Sequence, residues 1–430
     1  LSWSADRLYK EREGRLRTLI SVAKECSPWH RQRLVAINPE EFTEANLGSV
    51  PPMTKNDLME NWDEIVTAQR LNLNLVNSHL DSLSTDQYLF DHYHAIASGG
   101  SSGFRGVFVY DWTSWAIYAI LMGRWGIRDS LSNPEPVEAP PVYAHIAADK
   151  ATHVSSAIVQ TFSNPQAPYH RFPITLPIEK IVAGLNKVQP TDLGGYPSAL
   201  YLLTHEARAG RLRISPRSVS ASAEPLLPEI RKAIEETWGT PISNLWACSE
   251  GGVAVSCGHG RGMHMSDDIT IVEPVDAEGK LVPPGVGSTK VYLTNLYNHT
   301  LPLIRYELTD EMTFLNEPCP CGSVHRRIDD IQGRLDEVLT YASGIRVHPH
   351  LFRSVLRGER NILEYQVRQT RCGAAISIRC VGDVDVSNLR SEIEKGLNTL
   401  GFEDADVSIT QVEHFERLAT GKLKRFIPLD

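Results

Sequence analysis

The chain has 430 residues, 42% of them hydrophobic and 22% charged, with a formal net charge of −9. That length calls for two domains, or one large domain with an appendage, and the composition excludes collagen-like, mucin-like and wholly disordered classes. The negative balance argues against nucleic acid and against an anionic membrane surface as partners.

In chain order, the first predicted element is a helix over 7–26, where Leu8, Leu16, Leu19, Ile20 and Ala23 recur at helical spacing until SPWH ends it. Charges every few residues and no apolar core make this stretch unlike a signal peptide. In PPMTKNDLMENW, Thr54 is the candidate N-cap of a second helix, three residues before Asp57, with Leu58 and Trp62 on its apolar side. A glycine and serine cluster, Ser98 to Gly106, precedes the β-leaning FVYDW and an apolar stretch, Trp112 to Ile127. Thr113, Ser114, Gly123 and Arg124 interrupt that stretch, which falls short of a membrane span and reads as a buried helix. Gly285 to Asp310 alternates apolar and polar residues, with turn signals at GVGS and YNHT, as antiparallel strands do. After GRLDEV come two short β-like runs, EYQVRQT and AAISIRCV, and a helix following Asp385 with Leu389, Ile393, Leu397 and Leu400 on one face.

The predicted architecture is α/β: a large N-terminal domain of mixed sheets and helices over 1–335, and a small α+β domain over 336–430. Seven cysteines, an odd count thinly spread, argue for reduced thiols and a cytoplasmic location. Cys257, His264, Cys319 and Cys321 offer three sulfurs and one nitrogen, a set that suits tetrahedral, structural Zn²⁺; His259 or His325 could replace His264. Cys26, Cys248, Cys372 and Cys380 read as buried small hydrophobes.

The loop ASGGSSGFRG is rich in backbone N–H groups and hydroxyls and free of side chains that would block an anion, which suits polyphosphate. It is not a Walker A loop, since both GK pairs, at Lys280 and Lys422, are followed by Leu. Along the chain stand SGGSSGFRG, SASAEPL, LWACSEGG, IRYELTD, GRLDEV and TGKLKR. In this order they resemble the adenylate-forming superfamily of acyl-CoA synthetases, and most closely its phenylacetate-CoA ligase branch.

The resemblance implies roles residue by residue. Ser98, Gly99, Gly100, Ser101, Ser102 and Gly103 would cradle the β- and γ-phosphates of ATP, although Phe104 and Arg105 stand where many relatives have Lys-Pro. Ser222, Ala223, Glu224 and Pro225 would form the adenine-pocket turn, with Ala247, Cys248 and Ser249 beside the nucleotide and Glu250 helping to hold Mg²⁺. Asp310 would accept hydrogen bonds from the ribose hydroxyls, Arg334 would contact ribose or phosphate, and Asp336 would be the hinge between domains. Lys422 is implied as the mobile catalytic lysine, and Tyr143, His153, Tyr196, Pro197, Ser198, Gly251 and Gly252 as the acyl pocket.

The function so implied is ATP- and Mg²⁺-dependent adenylation of a carboxylic acid, aromatic by preference, followed by acyl transfer to coenzyme A. Transfer to an amine, a hydroxyl or a carrier-protein thiol is the alternative acceptor chemistry, and a nucleotide-binding scaffold without catalysis the alternative class. The reading leaves room for a homodimer.

Overall fold

A computed structural model describes residues 3–98, 106–132, 140–147, 152–162, 164, 166–174, 176–329, 331, 339–347, 350–356, 359, 361–416 and 423–429. The helix Ala5–Cys26 starts where the Ser4 hydroxyl accepts from the Arg7 N–H, and it buries Leu8, Leu16, Leu19, Ile20 and Ala23. Ser27 ends it and caps the next short helix, Pro28–Arg33. Thr54 and Asp57 form a reciprocal capping box on the helix Lys55–Glu60. Trp62 lies beyond that helix, in a separate turn Trp62–Ile65.

Strands β1 (Tyr93–Ala97) and β2 (Val107–Asp111) pair antiparallel, Ala97 facing Val107. The glycine and serine stretch joins them; residues 99–105 lie outside the described residues, but both of its ends are fixed. The Ser98 N–H donates to the Gly106 carbonyl, and the Gly106 N–H to the Ser98 hydroxyl, each at 2.9 Å. The helix Trp112–Ser132 follows directly. It buries Trp115, Tyr118, Leu121 and Trp125 but exposes Trp112, Ile120, Ile127 and Leu131, so the expected buried helix is buried on one face only.

The main sheet uses β3 (Tyr143–Ala147), β4 (Tyr169–Pro173), β5 (Asp192–Gly195), β6 (Ser218–Ser222), β7 (Ile242–Ala247), β8 (Val253–Val255) and β9 (Met263–Met265). Between β9 and its last strand, β10 (Thr270–Val275), β11 (Lys290–Asn295) and β12 (Tyr306–Leu308) form an antiparallel three-stranded sheet. Adding β13 (Arg327–Ile328), the main sheet has eight described strands in the order β13-β9-β8-β7-β6-β5-β3-β4. The run from β4 to β7 is parallel and the remainder antiparallel.

Helices Ile178–Val188, Pro197–Arg208 and Pro228–Trp238 connect the parallel strands and share a core with them, in which Leu185, Leu193, Leu200, Leu203 and Ile234 are buried. Register aligns the strand ends, Gly195 facing Ala221 and Ser222 facing Leu245. The residues after β5, β6 and β7 therefore emerge along one edge, where open α/β sheets bind ligands.

The C-terminal part holds β14 (Leu339–Thr340), β15 (Arg346–Val347), β16 (Ile362–Gln369), β17 (Gly373–Cys380), β18 (Asp406–Gln411) and β19 (Phe426–Ile427). The last four form one sheet in the order β18-β17-β16-β19, covered by the helix Val386–Thr399. Among the described residues, its core draws only on those between Leu339 and Phe426. Asp385 caps that helix and Leu389, Ile393 and Leu397 are buried, but Leu400 falls at the C-cap and is exposed, off the expected face. No helix among the described residues is long and apolar enough to cross a membrane.

Candidate functional site

The β7–β8 connection, Cys248–Gly252, is held from both sides. Within the loop, the Gly251 N–H donates to the Cys248 carbonyl and the Cys248 N–H to the Gly252 carbonyl. The Gly252 N–H points at Cys248 Sγ, 3.3 Å away. Gly251 has φ +96°, and a Cβ there would lie 2.2 Å from Asn295 Nδ2 and 2.6 Å from the Tyr297 hydroxyl. Only glycine admits that approach. Glu250, buried to 8% exposure, is carried at the centre of this loop.

Strand β2 connects the loop to the phosphate-loop candidate, since the Tyr110 hydroxyl donates to the Ser249 carbonyl at 2.7 Å. Asp310, which follows β12 and is 5% exposed, joins the same neighbourhood. Burial pushes the Cys248 thiol well above its ordinary range, and the nearby carboxylates of Glu250 and Asp310 push it further in the same direction.

At the end of β6, Ala223 adopts φ +67°, a left-handed conformation uncommon outside glycine. Glu224 turns its carboxylate to the next motif: its Oε2 accepts from the Ser198 N–H at 3.1 Å, at the start of the helix Pro197–Arg208. A carboxylate there satisfies one of the helix's otherwise unpaired amides. SASAEPL and GGYPSAL are thereby tied together, with Tyr196, Pro197 and Ser198 all buried.

His153 precedes the helix Val154–Thr161, and the neighbouring Thr152 carbonyl accepts from the Ala97 N–H at 3.1 Å, which sets this turn beside the end of β1. Tyr143 does not join the set. It begins β3, in register with Asp192 and Tyr169 at the opposite, amino-terminal edge of the sheet. Arg334, Asp336 and Lys422, with Gly99, Gly100, Ser101, Ser102 and Gly103, lie outside the described residues.

A second constellation sits at the other end of the antiparallel strands. The ligand atoms of Cys257, His264, Cys319 and Cys321 all lie within 4.8 Å of one another. Cys257 Sγ is 3.5 Å from Cys319 Sγ, and Cys321 Sγ is 3.4 Å from His264 Nε2. His264 Nδ1 faces the His325 carbonyl at 3.1 Å, so a proton on Nδ1 leaves the Nε2 lone pair aimed at the sulfurs. Of the three candidate histidines, His264 supplies a ring nitrogen to the cluster, while His325 supplies its carbonyl and His259 a backbone N–H toward Cys257.

Trp125 stacks on the His264 ring at 4.3 Å, and Arg128 donates to Cys321 Sγ at 3.3 Å. Burial raises the Cys257 thiol to about 12. Burial acts in the same direction on Cys321, but the Ser323 backbone and the Arg128 guanidinium outweigh it and bring that thiol below its ordinary value. Of the remaining cysteines, Cys248 is buried as expected, whereas Cys26 and Cys372 are exposed and Cys380 is half-buried.

Tyr110, Tyr118, Asn295 and Tyr297, whose side chains all reach the Glu250 loop, were not legible as site residues. Two lie in an apolar run and two beside a turn signal, and nothing in their spacing marks them.

No family model matches the chain. Among solved structures it is similar to 2-hydroxyisobutyryl-CoA ligase in its postadenylation state, with TM-score 0.76, 19% identity, and coverage of 100% of this chain and 90% of that one. Against the same ligase in the thioesterification state the TM-score is 0.61, at 99% and 91% coverage. The fold is therefore that of the adenylate-forming acyl-CoA ligases.

Among curated proteins, the phenylacetate-coenzyme A ligase of Thermus thermophilus is 30% identical over 249 residues, 55% of this chain and 53% of that protein. Protein CapK of Staphylococcus aureus is 21% identical over 372 residues, 83% of this chain and 75% of that one. The chain is similar to that phenylacetate-CoA ligase, and the match spans about half of that relative's length.

Proposed function

We propose that the chain is an AMP-forming acid–CoA ligase that activates an aromatic carboxylic acid with ATP and passes the acyl group to the thiol of coenzyme A. The observation that carries this reading is convergence. The Ser98 end of the phosphate loop, the Ala223 turn, Glu250 and Asp310 belong to segments joined by hydrogen bonds or neighbouring charges at the carboxyl edge of β5, β6 and β7.

In this reading the backbone of Ser98 to Gly103 cradles the polyphosphate and Asp310 accepts from the ribose diol. Glu250 would hold Mg²⁺, which supplies charge neutralisation on the phosphates when bound. A carboxylate oxygen of the acid attacks the α-phosphorus as the bond to pyrophosphate breaks, and Lys422 places positive charge where negative charge gathers. The thiol of coenzyme A then attacks the acyl carbon and AMP leaves. The Trp246 ring packs against Gly252, and an aromatic face at that acyl-pocket candidate suits an aryl ring better than a long chain.

The cysteine and histidine cluster fits a structural Zn²⁺, since all four positions are filled by protein ligands and no place remains for substrate. The separate core over Leu339 to Phe426 supports a division between 335 and 336, with Asp336 as the hinge.

The test is acid-dependent exchange of labelled pyrophosphate into ATP over a panel of acids, followed by mass spectrometry of the product with coenzyme A. Exchange led by benzoates or phenylacetates, with a CoA thioester formed, is the expected result. Exchange led by palmitate or acetate would overturn the aryl assignment, and absence of exchange with every acid would overturn the ligase reading.

A further inference from the structure

Four successive carbonyls of the Glu250 loop are each held by a side chain from a different position on the surrounding wall. The Tyr118 hydroxyl donates to the Cys248 carbonyl at 2.5 Å and the Tyr110 hydroxyl to that of Ser249 at 2.7 Å. Asn295 Nδ2 donates to the Glu250 carbonyl and the Tyr297 hydroxyl to that of Gly251, both at 2.9 Å. All four donors are buried. Burial holds each tyrosine well above its ordinary pKa, so the hydroxyls remain protonated donors.

The donors are themselves organised. The Tyr110 ring stacks on Tyr118 at 5.6 Å and on Tyr297 at 6.4 Å. Asn295 Oδ1 accepts from the N–H groups of Tyr297 and Asn298, which fixes the amide so that Nδ2 faces Glu250. Asn298 Nδ2 in turn donates to the Val109 carbonyl on β2, one residue before Tyr110. A loop that needed only to connect β7 to β8 could leave these carbonyls to water. Here every one from 248 to 251 is fixed, around the residue that carries the carboxylate.

We infer that Tyr110, Tyr118, Asn295 and Tyr297 are positioning residues that set the Glu250 carboxylate against the phosphate-loop hairpin and so determine how tightly the magnesium–nucleotide complex is held. The inference rests on the reading of Glu250 given above. Because Tyr110 lies on the hairpin itself, the clamp couples the two halves of the nucleotide site rather than merely stiffening one of them.

The experiment compares Tyr110→Phe, Tyr118→Phe, Tyr297→Phe, Asn295→Asp and Glu250→Gln in the full chain. Phe keeps the ring stack and removes only the donor, and Asp keeps the Oδ acceptor while removing the Nδ2 donor. Two readouts are taken: the Mg²⁺ concentration for half-maximal pyrophosphate exchange, and amide hydrogen exchange of the peptide spanning 248–252. The expected result is faster amide exchange together with an increase of about tenfold in the Mg²⁺ requirement, and loss of the response in Glu250→Gln.

Clamp variants that loosen the loop but leave the Mg²⁺ requirement unchanged, while Glu250→Gln alters it, would overturn the inference. Unchanged amide exchange in all four clamp variants would overturn it as well. If Glu250→Gln leaves the Mg²⁺ response intact, the assignment of Glu250 falls. In that case a raised Mg²⁺ requirement in the clamp variants supports the clamp through the loop backbone, and an unchanged one overturns it.

Discussion

A methyl group at position 251 has nowhere to go. Beyond the close approaches to Asn295 and Tyr297, the backbone sits at φ +96°, so Gly251→Ala meets strain and a displaced pair of donors together. The expected loss is about 2–4 kcal/mol in urea denaturation, accompanied by loss of pyrophosphate exchange. Gly210→Ala, at φ +73° with open space around its Cβ, is the control, with a loss of about 1 kcal/mol. Equal losses at the two positions would show that the clamp contributes nothing. At this scale the sequence reveals chemistry but not support. Glu250, Asp310 and the glycines stand in recognisable strings, because those residue types are dictated by what they would touch. Tyr110 and Tyr118 are indistinguishable in sequence from Trp115 or Leu121, which simply fill the core. Tyr143 shows the converse, since a register position decided by β3 outweighs its apparent company in the chain.

Between elements, the four metal-ligand candidates join the β8–β9 connection and β9 itself to the turn that precedes β13. Cys319→Ser is expected to reduce bound zinc from about one equivalent per chain to near zero and to lower the melting temperature before it alters acid preference. Metal-free protein of undiminished stability would remove the idea. That cluster was legible because thiolate and imidazole in that number have a characteristic chemistry, although Cys319 is 62 residues from Cys257.

The short helix Pro28–Arg33 supports a second prediction. His30 is fully buried, its Nε2 lies 3.0 Å from the Pro302 carbonyl, and burial lowers its pKa to about 3. The unfolded chain binds this proton near pH 6.5 and the folded chain only near 3, so the unfolded state holds more protons across that window. Stability from this group is complete above pH 6.5 and declines on acidification by about 1.4 kcal/mol per pH unit. His30→Gln, which can still donate to the carbonyl, should flatten the fall in melting temperature between pH 6.5 and 4.5. An unchanged slope would contradict the assignment. Caps and turns such as Ser4, Thr54 and Asp385 could be read directly, whereas the burial of His30 depends on a partner 272 residues away.

Across the whole molecule, the helix Pro197–Arg208 has two attachments. Its first turn is held by Glu224 at the candidate site, and its Tyr201, His205 and Arg208 line a cleft of about 410 Å³ opposite Ile362, Glu364, Tyr365 and Arg425. The proposed lysine belongs to the C-terminal part: Leu423, next to Lys422, is buried, and Phe426 on β19 pairs with Val367 of β16 inside the C-terminal core. In the proposed two-domain reading, Lys422 serves only the arrangement used for adenylation and has no work in a step that uses another. Lys422→Ala should therefore reduce acid-dependent pyrophosphate exchange by about a hundredfold or more, while thioester formation from supplied acyl-adenylate and coenzyme A stays within a few-fold of the parent. A negative charge left unbalanced between carboxylate and triphosphate explains the first loss, and the absence of that charge build-up in thioester formation explains the second. Comparable loss of both steps would count against a role confined to adenylation, and undiminished exchange would pass the assignment to the neighbouring Lys424 or Arg425.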